Sequence, residues 1–239
     1  MNNWTFEVRN LICHFDKHSE KKILYPNFTI QKNKITIIKG RTGCGKTTLL
    51  NLLGLMDDVD LTNEGIIKFK PDIDKEPISY KELFNQSESE LENIRREYFG
   101  FMFQQDQLID ALPGWDNVFI PYVLKNTKAT LEEAKKAAKS FITKFHFEDM
   151  TDDLMDRSPS TYSGGQRQRA ALIRALIHNP KVIFADEPLA SVDRVTATEI
   201  IDVLHQQTKN DTTVIMIVHD THEFLFDKYD VNEVIIKNE

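Results

Sequence analysis

The stretch of this sequence best suited to chemistry is a glycine-rich run that ends in a lysine and two threonines. It reads G-R-T-G-C-G-K-T-T and fits the pattern G-x-x-x-x-G-K-T of a phosphate-binding loop. Glycines let successive backbone N–H groups turn towards phosphate oxygens, and the start of a following helix adds partial positive charge. We expect Lys46 to reach the β- and γ-phosphates of a nucleotide and the Thr47 hydroxyl to ligate Mg²⁺. The candidate phosphate-binding residues are Gly40, Arg41, Thr42, Gly43, Cys44, Gly45, Lys46, Thr47 and Thr48.

The segments on either side of the loop distinguish it from a chance match in a glycine-containing turn. The run at 35–39 before the loop is β-branched and apolar, which is typical of a buried parallel strand, and residues 49–53 after it favour a helix. Within the loop, Cys44 stands beside Lys46 near the predicted helix start, and both neighbours favour a thiolate facing the phosphates. The alternative for this cysteine is a buried, inert thiol.

Two carboxylates, Asp186 and Glu187, follow the apolar run at 182–185. The end of a buried parallel strand is where α/β folds bind ligands. Asp186 can hold Mg²⁺, usually through water, and Glu187 can accept a proton from an attacking water. A solvated acidic turn is the alternative. His219 follows another apolar run at 213–218 and is expected at the same edge of the sheet, although a lone histidine is more often structural.

A second glycine pair stands at a predicted helix start, in the sequence Ser163, Gly164, Gly165 and Gln166. Ser163 is a natural N-cap, and residues 170–176 continue the helix. Paired glycines at this position are costly unless something approaches the backbone closely, and an anion such as phosphate is favoured by a helix N-terminus. The alternative is a Gly-Gly turn that only caps the helix.

The order of the remaining segments predicts an α/β protein in one domain of residues 1–239. We expect a phosphate-loop NTPase core with a mainly parallel sheet, a small N-terminal antiparallel β part and an inserted helical sub-domain. The core takes about residues 1–104 and 165–239 and the helical sub-domain about 105–164, where Thr130 and Glu133 resemble a capping box. Gln104 stands at the end of an apolar strand between the nucleotide motifs; alone, it would be read as a solvated loop residue.

Composition narrows the function classes. The chain has 239 residues, 41% of them hydrophobic, and a net charge of −7, which argues against general nucleic-acid binding through a basic face. Two cysteines, one of them inside the loop, favour a reducing cytosol. No signal peptide is evident, and no run is long and apolar enough to span a membrane, so a partner would have to supply any spans.

Taken together, these motifs resemble the nucleotide-binding subunit of an ATP-binding cassette (ABC) transporter from about residue 6 to 237. The resemblance implies an ATPase that uses ATP and Mg²⁺. It assigns the stretch from Gly40 to Thr48 to the Walker A loop, Asp186 and Glu187 to Walker B, and Gln104 to the Q-loop. The further assignments it implies are Ser163 to Gln166 as the signature motif, Asp193 as the D-loop residue, His219 as the switch histidine and Phe15 as the aromatic that stacks on adenine.

The resemblance further implies a dimer in which two cassettes, either identical or homologous, sandwich two ATP molecules. Lys46, Thr47 and Thr48 of one cassette bind the phosphates, and Ser163 and Gly165 of the other cap the γ-phosphate. Thr47, Gln104 and Asp186 are the expected metal ligands, and the expected catalytic residues are Glu187, His219, Gln104 and Lys46. The partner is an integral membrane permease, with no nucleic acid, which implies a cytoplasmic protein held at the inner face of the membrane.

Finer features resemble the subgroup that includes lipoprotein-release, macrolide-export and cell-division cassettes. Tyr162 departs from the usual leucine of the signature, and Arg41 and Thr42 replace small residues in the Walker A loop. Two other function classes are a soluble ABC ATPase working on DNA or the ribosome, and a phosphate-loop kinase or switch GTPase. The first carries long inserts or paired cassettes, and a GTPase carries N-K-x-D; this sequence has neither.

The surface that contacts the membrane partner is expected between Gln104 and the helical sub-domain. Its apolar candidates are Leu108, Ile109, Leu112 and Trp115. Each of these is either a core residue or an interface residue, and the sequence leaves the choice open.

Overall fold

The computed structural model describes residues 3–14, 22–57, 65–103 and 108–237. Eleven strands are assigned there: β1 (Trp4–Arg9), β2 (Ile12–His14), β3 (Lys22–Leu24), β4 (Phe28–Gln31), β5 (Ile35–Lys39), β6 (Ile66–Phe69), β7 (Ile78–Ser79), β8 (Phe99–Met102), β9 (Val182–Asp186), β10 (Thr213–Ile217) and β11 (Val231–Ile235). Eight α-helices accompany them in the same ranges: α1 (Lys46–Leu53), α2 (Tyr80–Leu83), α3 (Glu88–Tyr98), α4 (Gly114–Lys125), α5 (Leu131–Lys144), α6 (Asp152–Met155), α7 (Gly164–Leu176) and α8 (Arg194–Thr208). Short 3₁₀ helices cover Pro159–Thr161 and Asp220–Phe226.

A parallel sheet of five strands carries the residues that matter for chemistry. Its order is β11-β5-β10-β9-β8, and every neighbouring pair is parallel. The central strands are buried on both faces, which explains their continuous apolar sequences. Since the strands run the same way, the loop after β5, the carboxylates at the end of β9 and the histidine after β10 meet at one edge.

A second sheet, antiparallel and ordered β4-β1-β6-β7, covers one side of α1. Phe6 on β1 stands opposite Phe69 on β6, and their rings stack 5.1 Å apart between centroids. These rings share one buried cluster with the apolar face of α1 and with Phe184 of the parallel sheet. The predicted α/β class, with its parallel sheet and smaller antiparallel part, is confirmed.

Helices α4, α5 and α6 lie between β8 and α7 in sequence; α4 packs mainly on α7, and α5 and α6 pack mainly on α4. Trp115 on α4 is 4% exposed, stacks on Phe119 at 5.5 Å, and lies under the Lys135 ammonium, which is 4.8 Å from the ring centroid. Leu108 is also buried, whereas Ile109 is 47% exposed. Trp115 and Leu108 are therefore core residues, and their alternative role as interface residues is wrong.

Two helix starts follow the capping pattern expected from the sequence. The Thr130 hydroxyl accepts from the Glu133 N–H at 3.2 Å, and the Glu133 carboxylate accepts from the Thr130 N–H at 2.8 Å. Ser163 caps α7 with Gln166 in the same reciprocal manner. Both predicted caps are confirmed. In the described ranges, no helix has the length and apolar character needed to cross a bilayer.

Candidate nucleotide site

The loop from Gly40 to Gly45 joins β5 to α1, as the sequence predicts. The N-cap of α1 is Gly45, which has no side chain to offer the first-turn N–H groups, and that turn contains no acidic residue. Helices α5, α7 and α8, in contrast, are each capped by a side-chain oxygen. The start of α1 thus has unpaired donors and positive dipole charge, which suit a bound anion.

Gly45 shows why a glycine is required at the last turn of the loop. Its φ of +93° is left-handed, and a Cβ there would lie 2.6 Å from Ile23 Cδ1 and 2.8 Å from the Tyr25 hydroxyl. The Tyr25 hydroxyl donates to the Gly45 carbonyl at 3.0 Å. Burial raises the pKa of Tyr25, so the phenol remains a donor. Tyr25 and Ile23 therefore support the loop from behind, a role that no motif in the sequence indicates.

Lys46 lies across the mouth of the loop. Its ammonium donates to the Gly40 carbonyl at 2.7 Å and to the Arg41 carbonyl at 3.1 Å. Both of these hydrogen-bond partners are neutral carbonyls, so the ammonium can exchange them for phosphate oxygens. The loop itself is closed by a bond from the Cys44 N–H to the Arg41 carbonyl at 3.2 Å.

Cys44 points its thiol into the protein. The residue is 4% exposed, and a Cβ on Gly40 would lie 2.6 Å from its Sγ. The buried thiol is therefore the arrangement found, and the interpretation of a thiolate facing the phosphates is wrong. The local sequence gives the charge around the cysteine but not the direction of its side chain, which depends on how the loop rests on β3 and β11.

Thr47, at the start of α1, and Asp186, at the end of β9, lie close together. The Thr47 side chain lies close enough to the Asp186 carboxylate to lower its pKa, but burial raises that pKa and outweighs the effect of Thr47. A hydroxyl and a carboxylate side by side, with Lys46 nearby, are the oxygen donors that Mg²⁺ takes when it also binds nucleotide phosphates. In the described ranges, no group of three or more His, Cys, Asp or Glu residues could hold a metal without such phosphates.

Glu187 is one residue further out and half-buried. Its φ of +45° is unusual for a residue with a side chain, and its N–H donates to the Ile217 carbonyl at 3.1 Å. That bond to β10 fixes the strained turn next to Asp186. In the part of the chain that the structure describes, no other side chain is hydrogen-bonded to the Glu187 carboxylate, so its oxygens can accept from water.

His219 is exposed at the same edge, directly after β10. The Thr221 N–H donates to its Nδ1 at 3.4 Å, and the Thr221 hydroxyl oxygen lies 3.1 Å from the same nitrogen. An Nδ1 that accepts from the backbone places the proton of the neutral ring on Nε2, which can donate outwards. Thr221 therefore sets the tautomer, and the sequence offers only its closeness to the histidine as a signal.

The signature residues begin α7. The Ser163 hydroxyl accepts from the Gln166 N–H at 3.2 Å, and the Gln166 side chain accepts from the Ser163 N–H at 2.9 Å. Because the Ser163 hydroxyl only accepts in this cap, its own proton is available to an anion. Gly164 approaches the segment before α8, since a Cβ there would lie 3.2 Å from the Ser191 carbonyl oxygen, and Gly165 approaches α8 itself, with a Cβ 3.3 Å from the Thr196 hydroxyl.

Asp193 is the N-cap of α8. Its carboxylate accepts from the N–H groups of Val195 at 2.9 Å and Thr196 at 3.0 Å, and from the Thr196 hydroxyl at 3.1 Å. These bonds, the Thr196 N–H first, lower the pKa of Asp193. The structure thus gives Asp193 a capping role. Phe15 and Gln104, the other two candidates from the sequence, lie outside the described residues.

Comparison with known proteins places this geometry in a family. The family model for ABC transporters matches residues 25–190, which is more than half of the chain. The macrolide export ATP-binding/permease protein MacB of Bartonella henselae is 34% identical over 81% of this chain, which spans 27% of that protein's length. The bacitracin export ATP-binding protein BceA of Halalkalibacterium halodurans is 34% identical over 80% of this chain and 69% of its own length.

Solved structures of ATP-binding cassettes have a similar fold. The ATP-binding cassette MJ0796, solved as a dimer in a post-hydrolysis state with ADP and phosphate, aligns with a TM-score of 0.75 and 27% identity. The alignment covers 98% of this chain and 97% of MJ0796. The family predicted from the motifs is therefore confirmed: the chain belongs to the ABC transporter family, as one of its ATP-binding cassettes.

Proposed function

We propose that this chain binds Mg-ATP and hydrolyses it to ADP and phosphate in a dimer that drives a membrane permease. The observation that carries the proposal is that the parallel sheet brings the loop after β5 and the Asp186 carboxylate at the end of β9 to one edge, with Thr47 close enough to lower the pKa of Asp186. It joins the phosphate loop to the acidic strand end, beside Glu187. A solvated acidic turn, the alternative for these carboxylates, gives no reason for Asp186 to lie half-buried beside a loop threonine.

Phosphate binding uses groups that are already in position. The N–H groups at the start of α1 and the Lys46 ammonium attract the phosphates, and Lys46 exchanges its bonds to the Gly40 and Arg41 carbonyls for bonds to phosphate oxygens. Thr47 and Asp186 are the residues that fit Mg²⁺. When bound, the ion neutralises phosphate charge and orients the γ-phosphate.

Glu187 is the general base. Its carboxylate is next to Asp186 and can accept a proton from the water that attacks the γ-phosphate. His219 donates from Nε2 to a γ-phosphate oxygen, because Thr221 occupies its other nitrogen. Gln104, Phe15 and Asp193 keep the roles that the family resemblance gives them as part of the proposal, although the capping bonds of Asp193 already explain its presence.

The second half of each site comes from another cassette. Ser163 is exposed and retains a hydroxyl proton, and the start of α7 contributes a helix dipole. Both are suited to a γ-phosphate held by the Walker A loop of the partner copy. We assign residues 1–104 and 165–239 to the core and 105–164 to the helical sub-domain, which faces the permease at the inner side of the membrane.

Hydrolysis by the purified chain with and without Mg²⁺ tests the proposal. Wild type should turn over ATP only with the metal, and Lys46→Ala should abolish turnover and weaken nucleotide binding because it removes the ammonium held at the Gly40 and Arg41 carbonyls of the loop. Lys136→Ala is the matched control, since Lys136 is exposed on α5 away from the loop. Near wild-type turnover by Lys46→Ala would refute the assignment of the loop.

A further inference from the structure

Arg169, on α7, joins two segments that are far apart in the sequence. Its guanidinium donates to the Glu199 carboxylate of α8, at 3.2 Å from Nε and 2.7 Å from Nη2. The third nitrogen, Nη1, donates at 2.9 Å to the carboxylate of Asp149, which lies between α5 and α6. The side chain is 15% exposed, and its guanidinium carbon lies 5.8 Å from the Phe147 ring centroid. One arginine therefore ties the segment between α5 and α6 to α8.

The geometry of this contact suits an arginine and differs from that of an ordinary surface ion pair. The planar guanidinium bonds two carboxylates in fixed directions, whereas a lysine offers a single charged nitrogen. Arg157, which pairs with Asp153 four residues earlier, is 56% exposed and is typical of a surface pair that contributes little to stability. Without Arg169, the carboxylates of Asp149 and Glu199 would be left close together with like charge. The loss of Arg169 is therefore expected to push the two segments apart.

The same guanidinium supports the signature turn, which comprises residues 163–166. Gly165 is four residues before Arg169 and thus lies on the same face of α7. A Cβ on Gly165 would lie 3.5 Å from Arg169 Nη1 and 3.3 Å from the Thr196 hydroxyl of α8. The Thr196 hydroxyl donates in turn to the carboxylate of Asp193, the N-cap of α8. The second signature glycine therefore lies against both Arg169 and the first turn of α8.

We propose that Arg169 is a positioning residue, which fixes the direction in which Ser163 and the start of α7 face the γ-phosphate bound by another copy. The inference rests on the proposed function, since it requires nucleotides that are shared between two cassettes. All three guanidinium nitrogens are bonded to carboxylates, so Arg169 acts through Gly165 and does not bind the nucleotide itself. Its loss therefore lowers hydrolysis at the phosphate loop of the partner copy, while the loop that carries Lys46 in the same chain remains intact.

Turnover and nucleotide binding by the full chain give the first test. Arg169→Ala should lower the turnover number for ATP by about tenfold or more, because a misdirected signature turn no longer meets the γ-phosphate. ATP binding to the isolated monomer should stay within about twofold of wild type, since the phosphate loop of that chain is unchanged. Arg157→Ala is the matched control and should leave both quantities unchanged. Wild-type turnover by Arg169→Ala would overturn the inference.

Mixing Arg169→Ala with Lys46→Ala shows which copy Arg169 serves. In an equimolar mixture, half of the dimers contain one site with an intact Lys46 from the first variant and an intact Arg169 from the second. The mixture should therefore recover about a quarter of wild-type hydrolysis. A mixture no more active than its components would overturn the inference, because the damage would then lie in the chain that carries Arg169→Ala.

Two further samples separate this result from misfolding and from failure of the proposed function. Glu199→Ala removes the carboxylate that accepts two of the three bonds, and it takes the place of Arg169→Ala in both tests if that variant does not fold. A folded Glu199→Ala variant with wild-type turnover would then overturn the inference. The mixture of Lys46→Ala with Ser163→Asp is measured alongside. Recovery there but not with Arg169→Ala rejects the inference alone, whereas failure of both mixtures rejects the shared site of the proposed function.

Discussion

Gly114 and Tyr162 provide a test of how the signature loop is attached to the helical region. The Tyr162 hydroxyl donates to the Leu154 carbonyl at 3.0 Å, at the end of α6. Burial raises the pKa of this phenol, so it stays protonated. A Cβ on Gly114, the first residue of α4, would lie only 1.9 Å from the Tyr162 hydroxyl and 3.0 Å from its Cζ. A side chain at position 114 would therefore collide with the Tyr162 phenol and would also lie 3.2 Å from the Met155 carbonyl oxygen.

The free-energy cost of Gly114→Ala can be estimated from this contact. Gly114→Ala forces the phenol to move, which costs about 1–3 kcal/mol of overpacking, and breaks a hydrogen bond worth about 1 kcal/mol. In a Tyr162→Leu background the hydroxyl is gone and the tight contact with the Met155 carbonyl oxygen at 3.2 Å remains. The same change should then cost about zero, because alanine is the better helix former by about 0.5–1 kcal/mol and this gain offsets the remaining contact. The predicted coupling between the two positions is thus about 2 kcal/mol or more.

Urea unfolding of wild type, the two single variants and the double variant measures this coupling. Tyr162→Leu should be destabilising alone, and Gly114→Ala should be harmful only when Tyr162 is present. Additivity of the two single variants within about 0.5 kcal/mol would refute the reasoning, since sites that do not touch are expected to be additive.

Three further predictions concern the nucleotide site. Glu187→Gln should bind ATP but hydrolyse it more slowly, by about 10²-fold or more. The trapped nucleotide should stabilise the dimer, as measured by size-exclusion chromatography with Mg-ATP. Normal turnover by this variant would show that another residue is the base. Cys13 and Cys44 should resist a maleimide in the native protein, with or without ATP, and react after unfolding in urea. Both residues are buried, and burial raises the pKa of Cys13 to about 12. Fast labelling of the native protein that ATP prevents would instead support the interpretation that Cys44 faces the phosphates. Asp193→Ala should lower the midpoint of urea unfolding, whereas Asp193→Ser should leave it unchanged, because serine can still cap α8. A stable Asp193→Ser variant that loses hydrolysis would show that Asp193 acts on the nucleotide in addition to capping the helix.

Local sequence signals were sufficient for the elements and for the edge where the site lies. The apolar runs of β5, β9 and β10 predict buried parallel strands, and polar residues at their ends must then share one edge. The caps at Thr130 and Ser163 are equally local, since each depends on residues three positions apart.

Features that depend on contacts between residues far apart in the sequence could not be predicted from local patterns. Whether Trp115 is core or interface depends on Lys135 and Phe119 packing around it, and the thiol direction of Cys44 depends on the contact with Gly40. Tyr162 was visible as a departure, but its partner Gly114 lies 48 positions earlier, beyond any local pattern.

The central claim is that each ATP lies between the phosphate loop of one copy and Ser163 of another, and mixing two inactive variants tests it most directly. Lys46→Ala removes the loop ammonium, and Ser163→Asp keeps the cap of α7 while adding negative charge opposite the phosphates. Each variant alone should be inactive, and an equimolar mixture should recover about a quarter of wild-type hydrolysis, because half of the dimers then contain one intact site. A mixture as inactive as its components would contradict the shared site.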